Sequence, residues 1–220
     1  MKVKLIGYTK PNVDVNVPEM NDLQDLIAFC ARVSNPANQN NTETSEKLIK
    51  YLIKNKHWSP LEMVHVTLEI ETTRDIARQM LRHRSFSFQE FSQRYADPVK
   101  HLDFVIREAR LQDTKNRQNS IATDDVELNL EWARRQQNII DVVKDTYKWA
   151  IDNGIAKEQA RAILPEGNTV SKLYMAGTLR SWIHYVQLRS ENGTQQEHVD
   201  IAEACAEVIS TIFPMAKDMI

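Results

Sequence analysis

Apolar spacing divides the chain into strands and helices before side-chain chemistry is considered. Residues 3–8 read as a short strand, followed over 9–19 by a polar loop carrying Pro11 and Pro18. Leu23, Leu26, Ile27, Cys30 and Val33 then recur at helical steps behind Asn21, the expected cap, so Cys30 belongs to a packed face. After the loop NPANQNNTET, Leu48, Tyr51 and Leu52 mark a second helix ending near Lys56. Val64, Val66, Leu68 and Ile70 alternate with His65, Thr67, Glu69 and Glu71, which predicts a strand over 63–72 with one wet face. Helical spacing returns over 74–84, and HLDFVIREA reads as another strand.

Leu128, Trp132, Ile139, Val143, Tyr147 and Ile151 recur at steps of four or seven, predicting one long helix over 125–153 that Gly154 ends. A shorter helix over 157–164 halts at Pro165, a strand covers 169–177, and helices cover 179–190 and 195–212. This order has no steady βαβ alternation. It favours an α+β fold, a single domain over 1–220 with a largely antiparallel twisted sheet flanked by helices.

Composition narrows the function classes. A formal charge of −2 gives the chain no general attraction to nucleic acid or anionic membrane, so polyanion binding needs a local cation cluster. Cys30 and Cys205 are too few for a disulfide framework and lack zinc spacing, which points to a reducing, cytoplasmic setting and to no metal. No stretch approaches the ~20 apolar residues of a membrane span, so a soluble protein is expected. Gly7, Gly154, Gly167, Gly177 and Gly193 never approach a GxGxxG fingerprint, so any dinucleotide is held without it.

A cation cluster does exist. Arg74, Arg78, Arg82, Arg84 and Arg94 stand against only Asp75 and Glu90. At ~100° per residue, Arg74, Arg78 and Arg82 share one helical stripe opposite Ile76, Ala77, Met80 and Leu81. A solvated cationic face accounts for the stripe but not for Arg84, which on a continued helix falls within the apolar arc. Either the helix ends before Arg84 or its guanidinium is buried with an anion. Ser85 to Arg94, reading SFSFQEFSQR, then interleaves hydroxyls and forked donors with aromatic rings, a set suited to a phosphate-bearing ligand with a flat ring.

Arg82, His83 and Arg84, followed after seven residues by Ser92 and then Arg94, resemble the signature of flavin-dependent thymidylate synthases. Further matches follow the chain order: ARVS ending at Ser34, HWSPLE from His57 to Glu62, RAILP from Arg161 to Pro165, and GTLRSWIHYVQLR from Gly177 to Arg189. Two positions depart from the family pattern, Thr178 where asparagine is common and Met63 where histidine often follows the glutamate.

The resemblance implies methylation of dUMP to dTMP, with 5,10-methylenetetrahydrofolate as one-carbon donor, FAD as cofactor and NADPH as reductant. It implies a homotetramer with shared active sites, Arg161 acting across a subunit boundary, and neither nucleic-acid nor membrane partners. It places dUMP against Gln79, Met80, Leu81, Arg82, Glu90, Phe91, Ser92, Gln93, Arg94, Arg161 and Arg189. FAD falls to Ser34, Ser59, Glu62, Arg82, His83, Arg84, Glu90, Thr178, Leu179, Arg180, His184 and Leu188. Arg189 is the implied catalytic residue. It stabilises charge on the uracil ring so that C5 gains electron density without a cysteine adduct.

From the residues themselves, Arg180, His184 and Gln187 share a polar helix face opposite Leu179, Ile183 and Val186, suited to lie along a cofactor. Ser92 reads as a phosphate binder rather than a nucleophile; His57 either orders its loop or, as its family match beside the implied flavin pocket suggests, serves as a gate or nicotinamide–folate contact. His65, His101 and His198 are expected on wet faces, and Trp182 and Tyr185 in packing. Two rival readings remain: a nucleic-acid module using the arginine stripe with Phe86, Phe88 and Phe91 stacking on bases, and a flavin NADPH oxidase without methyl transfer.

Overall fold

The computed structural model describes residues 1–12, 20 and 22–219. Along the chain come β1 (Lys2–Tyr8), α1 (Leu23–Ala31), α2 (Ser45–Lys54), a 3-10 segment at Ser59–Met63, β2 (His65–Thr73) and α3 (Arg74–Met80). Then follow β3 (Phe86–Glu90), the single turn α4 (Pro98–His101), a hairpin of β4 (Arg110–Gln112) and β5 (Ser120–Ala122), and α5 (Val126–Asp152). The chain closes with α6 (Lys157–Ala160), β6 (Val170–Thr178), α7 (Leu179–Arg189) and α8 (Gln196–Ser210). The main sheet has the order β1-β2-β6-β3 with every pairing antiparallel, as the α+β reading expects.

Alternation drives this sheet. Val66, Leu68 and Ile70 of β2 and Leu173 and Met175 of β6 are all fully buried, and the register sets Leu68 against Met175 and Ile70 against Leu173. Burying each such side chain contributes about 1.5–3 kcal/mol. Ile76 and Met80 from α3, Trp182, Ile183 and Val186 from α7, and Ile201, Cys205 and Ile209 from α8 pack into the same core. The indole of Trp182 also donates to the Val66 carbonyl oxygen at 3.1 Å, fixing α7 to the sheet. On the opposite face the strands carry charge: Lys4 pairs with Glu69 at 3.5 Å and Lys172 with Glu71 at 3.4 Å, while Tyr174 Oη donates to Glu69. This is the wet face that the alternation in β2 predicts.

Helix ends follow local chemistry. Asp125 caps α5 by accepting from the Leu128 amide at 2.9 Å, and Gly154 leaves the helix at φ +77°. The expected cap Asn21 lies outside the described residues; Asp22 caps α1 through the Asp25 amide at 3.0 Å. α1 ends at Ala31, so Val33 lies beyond it and is exposed, and Cys30 is half-buried rather than in the core. In α2 the inward residues are Ser45, Ile49 and Leu52, whereas Tyr51 points outward, and the helix ends at Lys54. The expected helix over 157–164 is one α turn followed by a 3-10 turn at Arg161–Ile163.

The largest departure concerns 101–109, which is not a strand apart from one bridge between Phe104 and Thr169. Around that bridge the Val105 amide donates to the Asn168 carbonyl at 2.8 Å and the Asp103 carbonyl accepts from the Val170 amide at 3.1 Å, and further along side chains take the place of a ladder. Buried Gln136 on α5 accepts from the Arg107 amide at 2.9 Å and donates to the Arg107 carbonyl at 2.8 Å. Asn129 accepts from the Ala109 amide, and Asn168 donates to the Val105 carbonyl. On α5 itself, Gln136, Ile140, Val143, Tyr147 and Ala150 face the chain, while Leu128, Trp132 and Ile139 of the predicted apolar face are exposed.

Candidate active site

α3 stops at Met80 and Leu81 caps it, so the stripe breaks before Arg82, and Arg84 is exposed in the turn that follows. Ending the helix resolves the Arg84 alternative. The next residues form β3, an element that the aromatic and hydroxyl pattern did not reveal. Phe86 and Phe88 pack against the core, while Ser87 and Gln89 face outward. These rings are therefore structural rather than stacking platforms.

The end of β3 opens onto a cavity of about 720 Å³ lined by Arg74, Arg78, Glu90, Phe91, Ser92, Gln93, Glu158, Arg161, Ala162, Leu164 and Glu166. Glu90 organises one wall. Its carboxylate accepts from Arg78 at 2.7 Å and 2.8 Å and from Ser171 Oγ at 2.8 Å, with Arg74 at 3.7 Å. Burial and the neighbouring Arg78 lower the pKa of Arg74. Two arginines of the supposed nucleic-acid stripe are thus tied to a carboxylate. Gln93 is only 3 % exposed, and its Nε2 together with Arg78 Nε are buried donors without a hydrogen-bond partner among the described residues. Such donors suit an anionic or carbonyl-rich ligand in this cavity.

Other predicted residues gather at the opposite end of β3. His83, in the turn before the strand, accepts at Nε2 from Arg189 Nε at 2.9 Å. Burial, then Arg189 and Arg82, push the His83 pKa down to about 4, so at neutral pH the ring is uncharged with its proton on Nδ1. The ring stands edge-on to Tyr185 at 4.9 Å. With its Nε held in this way, the two Nη groups of Arg189 make no hydrogen bond among the described residues. Gln79 lies beside this group, bonded to Gln195 and His198.

The expected polar face of α7 is present, with Arg180 half-buried and His184, Gln187 and Leu188 exposed. Arg180 pairs with Glu62 in the Ser59–Met63 segment, and Trp58 meets His184 edge-to-face at 4.6 Å. Thr178 caps the helix by accepting from the Ser181 amide at 3.1 Å, a task that asparagine also performs, so that departure leaves the helix start intact. Ser34, Ser59, Arg82, Ser92 and Arg94 are exposed, and Arg94 pairs with Glu158 at 3.2 Å. Leu81 and Phe91 are half-buried, whereas the side chains of Met80 and Leu179 are fully buried and leave only their backbones for a ligand.

His65 and His101 are exposed as expected, but His198 is fully buried, because Tyr185 and Gln79 satisfy both ring nitrogens. Sequence reasoning also missed Glu158 and Glu166, which face the cavity arginines, and Arg110, which pairs with Glu197 at 2.5 Å. Only the order QQEH, placing polar groups over one turn from Gln195, carries a signal for that second cluster.

Neither thiol reaches the site. Cys205 is fully buried and burial pushes its pKa far up; burial also raises that of Cys30. A nucleophilic thiol needs the opposite environment. The Cys30→Ser, Cys205→Ser double variant is therefore expected to keep its turnover with some loss of thermal stability. An intact fold with bound flavin but no turnover would identify a working thiol.

Among the described residues no helix is long and apolar enough to cross a membrane. With Arg74 and Arg78 tied to Glu90 and the rings of Phe86 and Phe88 packed against the core, the chain presents a pocketed small-molecule site rather than a nucleic-acid surface. Residues 17–215 match the family described as thymidylate synthase complementing protein, and the chain belongs to that family. It is 49 % identical over 218 residues to a probable flavin-dependent thymidylate synthase of Paramecium bursaria Chlorella virus 1, covering 97 % of this chain and 96 % of that one. It is 46 % identical over 214 residues to the flavin-dependent thymidylate synthase of Synechocystis, with the same coverage of both chains. In fold it is similar to a UMP/dUMP methylase, PolB from Streptomyces cacaoi bound with 5-Br dUMP, at TM-score 0.79 and 24 % identity over 99 % of this chain and 93 % of that one.

Proposed function

We propose that the chain converts dUMP to dTMP with 5,10-methylenetetrahydrofolate as one-carbon donor and FAD reduced by NADPH. The observation that carries this reading is the cavity at the end of β3, where the unpartnered donors of Gln93 and Arg78 stand beside Ser92 and Arg161. Hydroxyl and guanidinium donors suit a nucleotide monophosphate, and amide donors suit uracil oxygens. Ser92 acts here by binding phosphate. FAD would lie along the open face of α7, reached by Arg180, His184 and Leu188, with Glu62, Ser59 and Ser34 on one side and Arg82, His83 and Arg84 on the other. When bound, it supplies the reducing equivalents of the reaction. The chain's own part is to hold the uracil and to place the Arg189 fork against charge developing on the ring.

A purified preparation should be yellow, release FAD on denaturation, and form dTMP only when dUMP, the folate and NADPH are all present. NADPH oxidation indifferent to dUMP and folate, without dTMP, would instead identify a flavin oxidase.

The active site is shared between copies in a homotetramer. Leu128, Trp132, Ile139, Val142 and Trp149 lie exposed in the single chain within an arc of roughly 100° on α5 and offer an apolar face to a second copy. The family resemblance implies that Arg161 is the residue supplied by a neighbour, yet Arg161 lines the same cavity as Ser92 and Gln93. The group set apart is Gln79, Arg82 and Arg189, separated from Ser92 by a five-residue strand of roughly 17 Å. Mixing inactive Arg189→Ala chains with inactive Arg94→Ala chains should restore some turnover through sites that combine both intact halves. Demonstrated subunit exchange with no recovery would refute sharing along this division.

A further inference from the structure

The polar groups behind Gln79 form one continuous run across the junction of α3, α7 and α8. Tyr185 Oη and His198 Nε2 are 3.0 Å apart, and His198 Nδ1 and Gln79 Oε1 are 3.2 Å apart. Gln79 Nε2 then donates to Gln195 Oε1 at 2.8 Å, and Gln195 Nε2 donates to Glu197 Oε2 at 2.9 Å. Arg110 holds the other oxygen of Glu197.

The end of this run decides its direction. An ionised carboxylate only accepts, so Gln195 must present its amide nitrogen to Glu197 and its oxygen to Gln79. Gln79 must in turn donate to that oxygen, which leaves its own oxygen facing His198. The imidazole then carries its proton on Nδ1 and accepts at Nε2 from the Tyr185 hydroxyl. Each assignment forces the next, and bonds aligned in one direction strengthen one another. Charge states agree with this order. Burial raises the Tyr185 pKa well above the usual range, so its hydroxyl keeps a proton to donate. Burial, followed by Arg189 and His83, lowers that of His198 to about 3, keeping the ring neutral.

We propose that Glu197 and His198 are positioning residues that lock the Gln79 side chain in one orientation, with its oxygen held by the protein and its second N–H turned to a pyrimidine carbonyl. Without Glu197 the chain loses its direction, and the Gln79 amide is able to flip and present oxygen to oxygen. This inference rests on the reading of Gln79 as a dUMP contact, and it adds two determinants, eight and nine positions beyond Arg189 at the end of α7, that touch no ligand themselves.

The test uses the FAD-loaded enzyme and measures dUMP affinity by calorimetry, with flavin content and melting temperature recorded for each variant. Glu197→Gln and His198→Leu are expected to weaken dUMP about tenfold with flavin content unchanged. His198→Asn, whose Nδ2 can replace Nδ1 as donor to Gln79, is expected to recover most of that loss. A purely structural role predicts the reverse order, since leucine fills the buried site better than asparagine does, and that order would overturn the proposal. Gln79→Leu separates the two ways of failing. Normal dUMP affinity in this variant removes Gln79 from the substrate site and the proposal with it. Weak affinity in Gln79→Leu beside normal affinity in Glu197→Gln and His198→Leu leaves the substrate reading standing and refutes the relay.

Discussion

Arg189→Lys is expected to lose about two to three orders of magnitude in turnover while still binding dUMP, the scale on which removing one charge-stabilising donor acts. Arg189 ends α7, and its Nε donates to a neutral His83 at 2.9 Å, so the plane of the guanidinium is set by a bond on its far side. Its two Nη groups remain for two adjacent ring atoms. Lysine offers one compact ammonium on a flexible stem and can serve either His83 or the uracil, but not both ring atoms in a fixed plane. Burial, ahead of the effect of Arg82, lowers the Arg189 pKa, yet a guanidinium starts so high that it remains charged. The measurement is kcat for dTMP formation with dUMP affinity and flavin content determined on the same preparation. Turnover close to wild type would remove Arg189 from the activating role.

Elements with a single dominant period were legible in the sequence. β2 alternates without interruption, and α5 runs between an aspartate cap and a glycine stop, so both lie within two residues of their expected bounds. The candidate site was legible as a set of residues but not as an arrangement. Phe86 to Glu90 carries a strand's alternation, but its serines and phenylalanines read equally well as ligand chemistry, and only pairing with β6 decides between them. Along 101–109 a similar alternation misleads, since backbone pairing is confined to the neighbourhood of Phe104 and the side chains of Gln136, Asn129 and Asn168 take further bonds that a neighbouring strand would have taken. No local rule anticipates those partners, which lie 20 to 63 residues away. His198 fails for the same reason, because its burial depends on Gln79 and Tyr185, both brought from other helices. α5 shows a different limit: its apolar residues run around most of the helix, and periodicity alone does not say which stripe belongs to the chain's own core.

Gly177→Ala is expected to destabilise the protein by about 1–3 kcal/mol, the usual cost of forcing an extra carbon into a packed core. Gly177 lies on β6 between Val66 of β2 and Phe86 of β3, and a Cβ there would stand 2.4 Å and 2.7 Å from two atoms of the Phe86 ring. The ring has little room to withdraw. Trp182 meets it edge-on with centroids 4.8 Å apart, and Tyr185 lies behind at 6.0 Å. Relief therefore requires Phe86 to press toward Tyr185, against which His83 stands with its bond to Arg189. For a chain of this size the loss corresponds to a fall of roughly 2–12 °C in melting temperature. Turnover should fall further than the folded fraction alone explains, because the same displacement disturbs the orientation of Arg189. Adding Phe86→Leu removes the ring that causes the clash, so the double variant should be more stable than the sum of the two single losses predicts. Thermal unfolding of all four proteins, followed by circular dichroism, measures that coupling. Additive losses, or an unchanged melting temperature in Gly177→Ala, would show that β3 gives way at no cost and that the glycine is not what lets Phe86 close the core beneath the site.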